Sequence, residues 1–523
     1  MFTNKKSLLA LSVASAFTLT GCFSDDDGNT VTPPPPPPPV VVVPPEAPAE
    51  IGAVISASVI DLEDTAALPS KIAFFEAGAP SENIVDIDGN VTATIDSEDG
   101  GFIFQIKDGV DLEQVTIVVT AEDYVSKAFV VDLSGIDDGD VSVELGLTSA
   151  TADGIAVSTP VEATIGADGT SDTDIVVAID DNDGATSNVT IPANTVLKDA
   201  NGNIVTGAFS VKVTTAKPGT NAAATIVPQG LSSADSTTVL TPAGVTSVEM
   251  VNSDGVKVKQ FSSPINVDMA VKAGSPATLG LSSQNEDTGV WSPEAQGVTV
   301  TGNVGSFSTN HLTFFAATTS SPVCSTPVRF LLAGDPIPSA GAGLNLRVSS
   351  SDFDNTLPGV KGNYTIPAAL VSLIGISDTA QARIRLRDVE GNLWADTTSE
   401  VALCGDVNLT LVAPAVTYQS ETLAITAACS NDSTVSVGAS GALVKYSRNG
   451  KVPRKAKGDG TGNYSLINMV DGETYNVTVK YKGSLSSIAD AAFEITADGT
   501  DKTRSESLVC PTSTGGTGGT GGN

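Results

Sequence analysis

Histidine is almost absent from this 523-residue chain, which contains one, His311, and only two tryptophans. A single histidine excludes the HExxH zinc site, and the sequence contains no CxxCH haem-attachment motif. It also has no GxSxG nucleophile turn and no Walker A or Rossmann glycine pattern in a strand–turn–helix context. Glycosidases need aromatic sugar platforms beside their carboxylates, and two tryptophans provide little of that surface. We therefore expect a protein that is not an enzyme and has no cofactor.

Basic residues are scarce and unevenly distributed. Residues 22–320 carry 9 basic and 41 acidic side chains, whereas residues 321–523 carry 16 and 19. The acidic excess repels nucleic acid and anionic lipid headgroups, so we expect no nucleic acid among the partners. General solubility is the simplest explanation of this excess.

Long apolar runs are missing after the N-terminus, so we expect no transmembrane helix. The N-terminus combines Lys5 and Lys6 with the short apolar stretch SLLALSVASAFTLT and ends in Leu-Thr-Gly-Cys at Cys22. This segment resembles the lipobox of bacterial lipoproteins. The resemblance implies that residues 1–21 are a cleaved signal peptide and that Cys22 carries fatty acyl chains such as palmitate. By the same analogy the protein is attached to the outer membrane, facing the periplasm or the cell surface. An ordinary secretory signal with an unrelated cysteine is the alternative.

Two segments of low complexity flank the central part of the chain. Residues 22–50 contain a run of seven prolines, which favours a semi-rigid polyproline spacer of about 3.1 Å per residue. Residues 512–523 read TSTGGTGGTGGN, which predicts a flexible tail.

Between these segments the apolar residues recur with a period of two, the pattern of half-buried β-strands. In ARIRLR, residues 382–387, the pattern buries the three apolar residues and exposes Arg383, Arg385 and Arg387. FSVKV and YNVTVKYK alternate in the same way, and turns such as NGN and RNG separate the runs. We predict an all-β protein of Ig-like or transthyretin-like sandwiches in series. The predicted domains are residues 51–148, 149–320, 321–415 and 416–511.

Four cysteines follow the lipobox in two pairs of nearly equal spacing. Cys324 and Cys404 are 80 residues apart, and Cys429 and Cys510 are 81 residues apart. Each pair also brackets a GNY triplet, which indicates an internal repeat. We therefore predict that one disulfide joins the first and last strands of each of the last two domains. A metal site is the alternative, but it needs closely spaced cysteine pairs that the sequence lacks.

The first predicted domain contains an Asp-Gly turn followed by an aromatic-apolar strand. Asp96, Gly100 or Gly101, and Phe102 fit a DxxGxF turn, and Tyr124 precedes the last strands. This pattern resembles the carboxypeptidase regulatory-like domain. The resemblance implies a transthyretin-type sandwich without catalytic activity.

The middle domain ends in STNHLTFF, preceded by a strand that contains Trp291. This stretch resembles the proteolysis-site motif of GAIN domains. The resemblance implies self-cleavage, with His311 as the base, Leu312 as the source of the attacked carbonyl and Thr313 as the nucleophile. The cysteines that flank the motif in that family are missing here. The alternative is that His311 hydrogen-bonds within a strand and has a structural role.

Four acidic turns raise the question of calcium: DIDGN at 86–90, DSEDGG at 96–101, GIDDGD at 135–140 and IDDNDG at 179–184. None fits the spacing of an EF-hand loop. Asx-type turns explain the same composition, so we expect weak calcium binding at most.

A basic cluster occurs in the last domain, in KYSRNGKVPRKAKG. Its members are Lys445, Arg448, Lys451, Arg454, Lys455 and Lys457. The cluster predicts a contact with an anionic polysaccharide or with another envelope protein. A solvated hairpin whose lysines protect a sheet edge is the alternative.

Together these features predict a non-catalytic lipoprotein of the outer membrane, a rod of β-sandwiches used for adhesion or as a scaffold in the cell envelope. We expect one partner to be the membrane itself, which the protein contacts through its lipid anchor. The alternatives are a surface protein that cleaves itself between Leu312 and Thr313, and a glycan-binding accessory protein.

Overall fold

The structure, a computed structural model, describes residues 40–133, 141–180, 183–232, 237–338 and 343–514. The lipobox with Cys22, the run of seven prolines, the acidic turn at 135–140 and the glycine-rich end of the tail lie outside these residues. The regular secondary structure of the described chain is almost all β-strand, with two short α-helices, as the period-two pattern predicts. None of the helices in the described ranges is long and apolar enough to span a membrane. The strands form four units, each built around its own apolar core.

The first unit has two sheets around one core. Its core includes Phe74 and Phe104, one from each sheet, whose ring centroids are 4.9 Å apart. With the separate strand β1, the strands are β1 (Val40–Val42), β2 (Ile55–Asp61), β3 (Ser70–Glu76), β4 (Ala79–Pro80), β5 (Ile84–Val85), β6 (Thr94–Ser97), β7 (Gly101–Ile106), β8 (Gln114–Thr120), β9 (Lys127–Asp132) and β10 (Val141–Leu147). One sheet has the order β10-β2-β7-β5, and the other has the order β4-β3-β8-β9 with β6 on β3.

The second unit is one continuous sheet of thirteen strands that encloses the largest core. Its elements are β11 (Ile155–Val157), β12 (Val161–Ile165), β13 (Ile175–Ile179), β14 (Ser187–Ile191), β15 (Leu197–Lys198), β16 (Gly207–Ala216), α1 (Asn221–Ile226), β17 (Thr238–Asn252), β18 (Gln260–Ala270), β19 (Thr278–Gln284), β20 (Trp291–Pro293), β21 (Val298–Thr301), β22 (Val304–His311) and β23 (Phe314–Pro322). The main path of the sheet runs β11-β16-β17-β23-β19-β21-β22-β18-β14-β13.

The third unit has two sheets and one helix. Its elements are β24 (Arg329–Gly334), β25 (Leu344–Ser349), β26 (Asp354–Val360), β27 (Tyr364–Thr365), α2 (Ala368–Ile374), β28 (Gln381–Arg387), β29 (Leu393–Asp396), β30 (Val401–Ala402) and β31 (Asp406–Leu411). The sheets have the orders β27-β24-β31 and β26-β25-β28-β29, with β30 on β28.

The fourth unit again has two sheets. Its strands are β32 (Tyr418–Cys429), β33 (Asp432–Gly438), β34 (Leu443–Arg448), β35 (Arg454–Lys455), β36 (Lys457–Gly458), β37 (Asn463–Val470), β38 (Thr474–Lys480), β39 (Ala491–Thr496) and β40 (Lys502–Leu508), with a 3-10 turn at Gly483–Leu485. One sheet has the order β33-β32-β37-β36 with β40 on β32, and the other has the order β35-β34-β38-β39. In β38 every second residue is buried, as the alternation in YNVTVKYK predicts.

Three of the units share one strand arrangement. The first strand pairs in parallel with the last: β2 with β10, β24 with β31 and β32 with β40. In the third and fourth units the disulfides Cys324–Cys404 and Cys429–Cys510 connect the ends of these parallel partners, in the predicted pairing. The first strand also pairs with a strand that follows a glycine-containing turn: β2 with β7, β24 with β27 and β32 with β37. In the third and fourth units this turn contains the GNY triplet. The repeat in the sequence is therefore a repeat of topology.

The four units do not form an extended rod, which corrects the predicted shape. Strand β1 pairs with β41 (Thr512–Thr514), so the two ends of the described chain lie together. Lysines of the fourth unit contact carboxylates of the first: Lys445 lies 3.2 Å from Asp99, and Lys480 lies 3.1 Å from Asp88. The prediction of several β domains in series along the chain is confirmed. Only the rod shape was wrong, because local strand patterns carry no information about which surfaces of distant units meet.

Candidate functional site

The predicted cleavage motif lies at a break between two strands. Strand β22 ends at His311 and β23 begins at Phe314, so Leu312 and Thr313 lie outside both. The two strands have different partners, β18 and β21 for β22, and β17 and β19 for β23. Leu312 and Thr313 are buried. The chain passes from one region of the large sheet to another at this peptide.

Both ring nitrogens of His311 face partners other than Thr313. Nε2 lies 3.2 Å from a carboxylate oxygen of Glu294, and Nδ1 lies 3.0 Å from the hydroxyl of Thr309. Because a carboxylate only accepts hydrogen bonds, Nε2 is the donor towards Glu294, and Nδ1 shares a hydrogen bond with the Thr309 hydroxyl. The Thr313 hydroxyl donates to the carbonyl of Gln284. In this geometry the predicted base and the predicted nucleophile do not face each other, and His311 has structural contacts.

The packing around this motif agrees with a structural role. The His311 ring centroid is 5.4 Å from that of Phe315. Trp291 stands edge-on to Phe314 and donates its indole N–H to the carbonyl of Gln229 at 3.0 Å. The contact between His311 and Phe315 joins β22 to β23 across the break, and Trp291 packs β20 against β23.

The acidic turns at 86–90 and 96–101 accept local hydrogen bonds on their carboxylates, and the turn at 179–184 lies partly outside the described residues. The carboxylate of Asp86 accepts from the amides of Asp88 and Asn90 at 2.8 and 2.9 Å. Asp99 accepts from the amide of Gly101 at 3.0 Å. These are Asx-type turns. The described part of the chain contains no group of three or more metal-ligating side chains placed to hold an ion.

The predicted basic cluster lies on a hairpin that packs against the first and third units. Arg448 and Arg454 both contact the buried carboxylate of Glu390, at 3.2 and 2.7 Å. The ammonium of Lys451 lies 3.0 Å from the hydroxyl of Thr65. Of the six basic residues, Lys457 is exposed and the other five are half-buried. Much of the cluster is therefore used inside the molecule.

A cavity of about 210 Å³ lies where the first, third and fourth units meet. The first unit contributes a face of hydroxyls from β2 and β10: Ser56, Ser58 and Ser142. Two carboxyl groups, of Glu144 and Asp388, also line the cavity. The basic side chains of its lining are Arg347, Arg385, Arg387, Lys451, Arg454 and Lys455.

Arginines of neighbouring strands are juxtaposed in this cavity. Arg347 of β25 and Arg385 of β28 are directly opposite each other in the antiparallel register, where like charges are unfavourable. Arg347 has a partner, because its Nε lies 2.7 Å from Asp354, and it also donates to the carbonyl of Leu62 at 2.9 Å. Nε of Arg385 is buried, and no described residue provides it with a hydrogen-bond acceptor.

The two carboxyl groups of the cavity have other partners. Glu144 is half-buried, desolvation raises its pKa, and it accepts a hydrogen bond of 2.5 Å from Asn345. The carboxylate of Asp388 accepts from the indole of Trp394 at 3.0 Å and from the hydroxyl of Tyr418. Neither carboxyl group lies in hydrogen-bond contact with Arg385 among the described contacts. The cavity therefore has an excess of positive charge within a strongly acidic protein.

The sequence predicted the alternation of β28 correctly and the exposure of its arginines wrongly. Arg383, Arg385 and Arg387 share one face, but all three are half-buried, because the first and fourth units cover part of that face. One signal was present: three arginines at alternate positions are unusual in a chain with 27 basic residues in total. Nothing local to β28 indicated what would cover them.

Comparisons with known proteins leave the family open. No family model and no curated protein matches the chain. Among solved structures it is similar to the TIE protein of Bacillus anthracis, at 10% identity and a TM-score of 0.15, over 68% of this chain and 58% of that one. It is also similar to the major pilin subunit BcpA of Bacillus cereus, at 10% identity and 0.13, over 88% and 99%. The major pilin SpaD of Corynebacterium diphtheriae matches at 9% and 0.14, over 88% and 97%.

The chain spans about 58% of the length of the Bacillus anthracis protein. At these TM-scores the similarities carry no argument about function, and the fold is described from the chain's own sheets.

Proposed function

We propose that this protein is a non-catalytic, lipid-anchored scaffold or adhesion protein of the bacterial outer membrane. The observation that carries the proposal is the closed arrangement of the four units, in which β1 pairs with β41 and the first unit contacts the fourth. Such an arrangement holds the four units as one body, which a scaffold or adhesion protein can present to a partner. The paired contacts of His311 and the absence of the common catalytic motifs support the non-catalytic part.

The lipid anchor is tested at Cys22. We expect Cys22→Ala to abolish incorporation of a radiolabelled fatty acid and to move the protein from the membrane fraction to the soluble fraction, because acyl chains supply the membrane affinity. Ser24→Ala is the matched control and should leave both readouts unchanged. Unchanged labelling in Cys22→Ala would refute the anchor.

The exposure of the protein on the cell is tested by protease treatment of intact cells. Loss of the four-unit body on intact cells supports a role in adhesion at the surface. Protection on intact cells, with digestion after the outer membrane is opened, restricts the protein to a scaffold in the periplasm.

Self-processing is the second candidate, supported by the position of the Leu312 and Thr313 peptide in the break between β22 and β23. Cleavage would give two fragments on a denaturing gel, residues 22–312 and 313–523. Thr313→Ala should then leave one band, whereas Thr313→Ser retains a hydroxyl nucleophile and should keep two. A single band from the unmodified protein excludes this function.

A further inference from the structure

The guanidinium of Arg385, whose Nε has no acceptor among the described residues, is a charge that the scaffold function does not explain. An arginine stays protonated in a protein, so it cannot relieve burial by losing its proton. A buried donor without an acceptor costs free energy, and more when the donor is charged. Nε of Arg385 is in this position, on a side chain that lines the cavity between the three units.

Neighbouring positive charges further destabilise the charged form of Arg385. Burial and the positive charges of Arg347, Arg383 and Arg387 lower the pKa of Arg385. Arg383, two residues earlier on the same strand, is the opposite case, because hydrogen bonds with Asp396 raise its pKa. One strand face therefore holds an arginine that has its carboxylate and another that lacks one.

The opposite wall of the cavity is rich in hydroxyl groups. Ser56 and Ser58 are on the outer face of β2, and Ser142 is beside them on β10. No hydrogen bond with another described residue uses these three hydroxyls. The volume of about 210 Å³ is far above the roughly 10–15 Å³ that one water molecule needs on the same measure.

We propose that this cavity binds a small hydroxylated carboxylic acid, the chemistry of a uronic acid unit, with its carboxylate on Arg385 and its hydroxyls on the serine wall. A guanidinium offers two parallel N–H donors that match the two oxygens of a carboxylate. The proposal goes beyond the scaffold function and gives the glycan-binding alternative a defined site.

The other groups of the cavity favour a single negative charge. Glu144 and Asp388 also line it, and they oppose a multivalent anion more strongly than a carboxylate. The serine hydroxyls of the wall both donate and accept hydrogen bonds. Sugar hydroxyls can pair with them in both directions, whereas sulfate oxygens only accept. A carboxylate on a sugar ring therefore fits both walls.

The test is calorimetric titration of the purified full-length protein with glucuronate, and with glucose and sulfate as separate probes. We expect saturable binding of glucuronate, and binding at least about tenfold weaker for glucose, which lacks the charged partner for Arg385. Sulfate should also bind more weakly than glucuronate. No detectable binding of glucuronate, or equal binding of glucose or sulfate, overturns the proposal.

The site is located with Arg385→Gln and the matched control Arg329→Gln. Arg329 is in the same unit but outside the cavity, in an exposed pair with Asp406. We expect Arg385→Gln to weaken glucuronate binding at least about tenfold and Arg329→Gln to leave it unchanged.

Misfolding is excluded by the melting temperature of the ligand-free protein. Arg385→Gln removes an unpaired charge, so its melting temperature should equal or exceed that of the unmodified protein. Unchanged glucuronate affinity in a folded Arg385→Gln protein overturns the proposal. That failure would leave the lipid anchor and the scaffold function untouched, since they are tested at Cys22 and on intact cells.

Discussion

The first and the last unit share a strand arrangement but differ in charge and in covalent bracing. In both units the first strand pairs in parallel with the last, β2 with β10 and β32 with β40. Residues 51–148 carry 3 basic and 20 acidic side chains and no cysteine, whereas residues 416–511 carry 10 basic and 10 acidic side chains. The last unit has the disulfide Cys429–Cys510 beside its parallel pair.

The difference shows that the same strand topology can be stabilised in two ways. The last unit is closed by a covalent bond. The first unit has contacts with its neighbours instead: the buried ammonium of Lys127 donates to the carbonyl of Thr225 at 2.8 Å, and the carbonyl of Leu62 accepts from Arg347. Its acidic surface also meets lysines of the last unit. The acidic excess of the first unit, which predicted only solubility, therefore also provides an intramolecular contact.

The largest effect should come from the disulfide. Replacing Cys429 and Cys510 by serine should cost the last unit about 4 kcal/mol, because the bridge closes a loop between cysteines 81 positions apart. Hydrogen exchange resolved by segment measures this loss unit by unit. The first unit should keep its protection.

The matched control is the equivalent double variant of the third unit, Cys324→Ser with Cys404→Ser. It should move the loss of protection to residues 321–415. An equal loss in the first unit after either double replacement would show that the units unfold together, and the contrast between covalent and neighbour bracing would be wrong.

Strand patterns and cysteine spacing predicted much of the fold because both are local or pairwise features of the chain. The alternation in β28 and β38 and both disulfides were predicted from the sequence. The closed arrangement was not, because β1 and β41 are more than 450 residues apart and carry no pairing signal.

The candidate site was harder to predict for the same reason. The sequence identified His311 and Thr313 but not the directions of their side chains, which depend on Glu294 and Gln284 from other strands. The arginine-lined cavity combines residues from three units, and ARIRLR alone indicated a solvent-exposed face. Burial by a distant unit changes the role of a residue without changing its local pattern.

The next effect in size concerns Lys127, the buried lysine of the first unit. Burial lowers its pKa from 10.5 to about 8. Between these values the unfolded chain binds a proton that the folded chain does not, so the free energy of unfolding rises with pH in this window. The free energy of unfolding of the unmodified protein, relative to that of Lys127→Met, should therefore increase by up to about 3 kcal/mol as pH increases from 7 to 10.5.

Denaturant unfolding at a series of pH values measures this difference. Lys71→Met replaces an exposed lysine of the same unit and should give no such trend. A difference between the unmodified protein and Lys127→Met that stays constant or falls with pH would show that the lysine is not held in a dry contact with the second unit.

The smallest effect should come from the charged contact between the first and last units. Asp88 lies 3.1 Å from Lys480 and 3.2 Å from Lys482, and all but Lys482 are well exposed. Asp88→Asn should therefore cost less than about 1 kcal/mol, and high salt should remove the effect.

Asp108→Asn is the control, because it removes an equal charge from the same acidic unit at an exposed position without an ion pair among the described residues. Relief of self-repulsion should make this control neutral or slightly stabilising. Melting curves at low and high salt distinguish the two variants. If both shift the melting temperature equally, the acidity of the first unit contributes to solubility but not to its contact with the last unit.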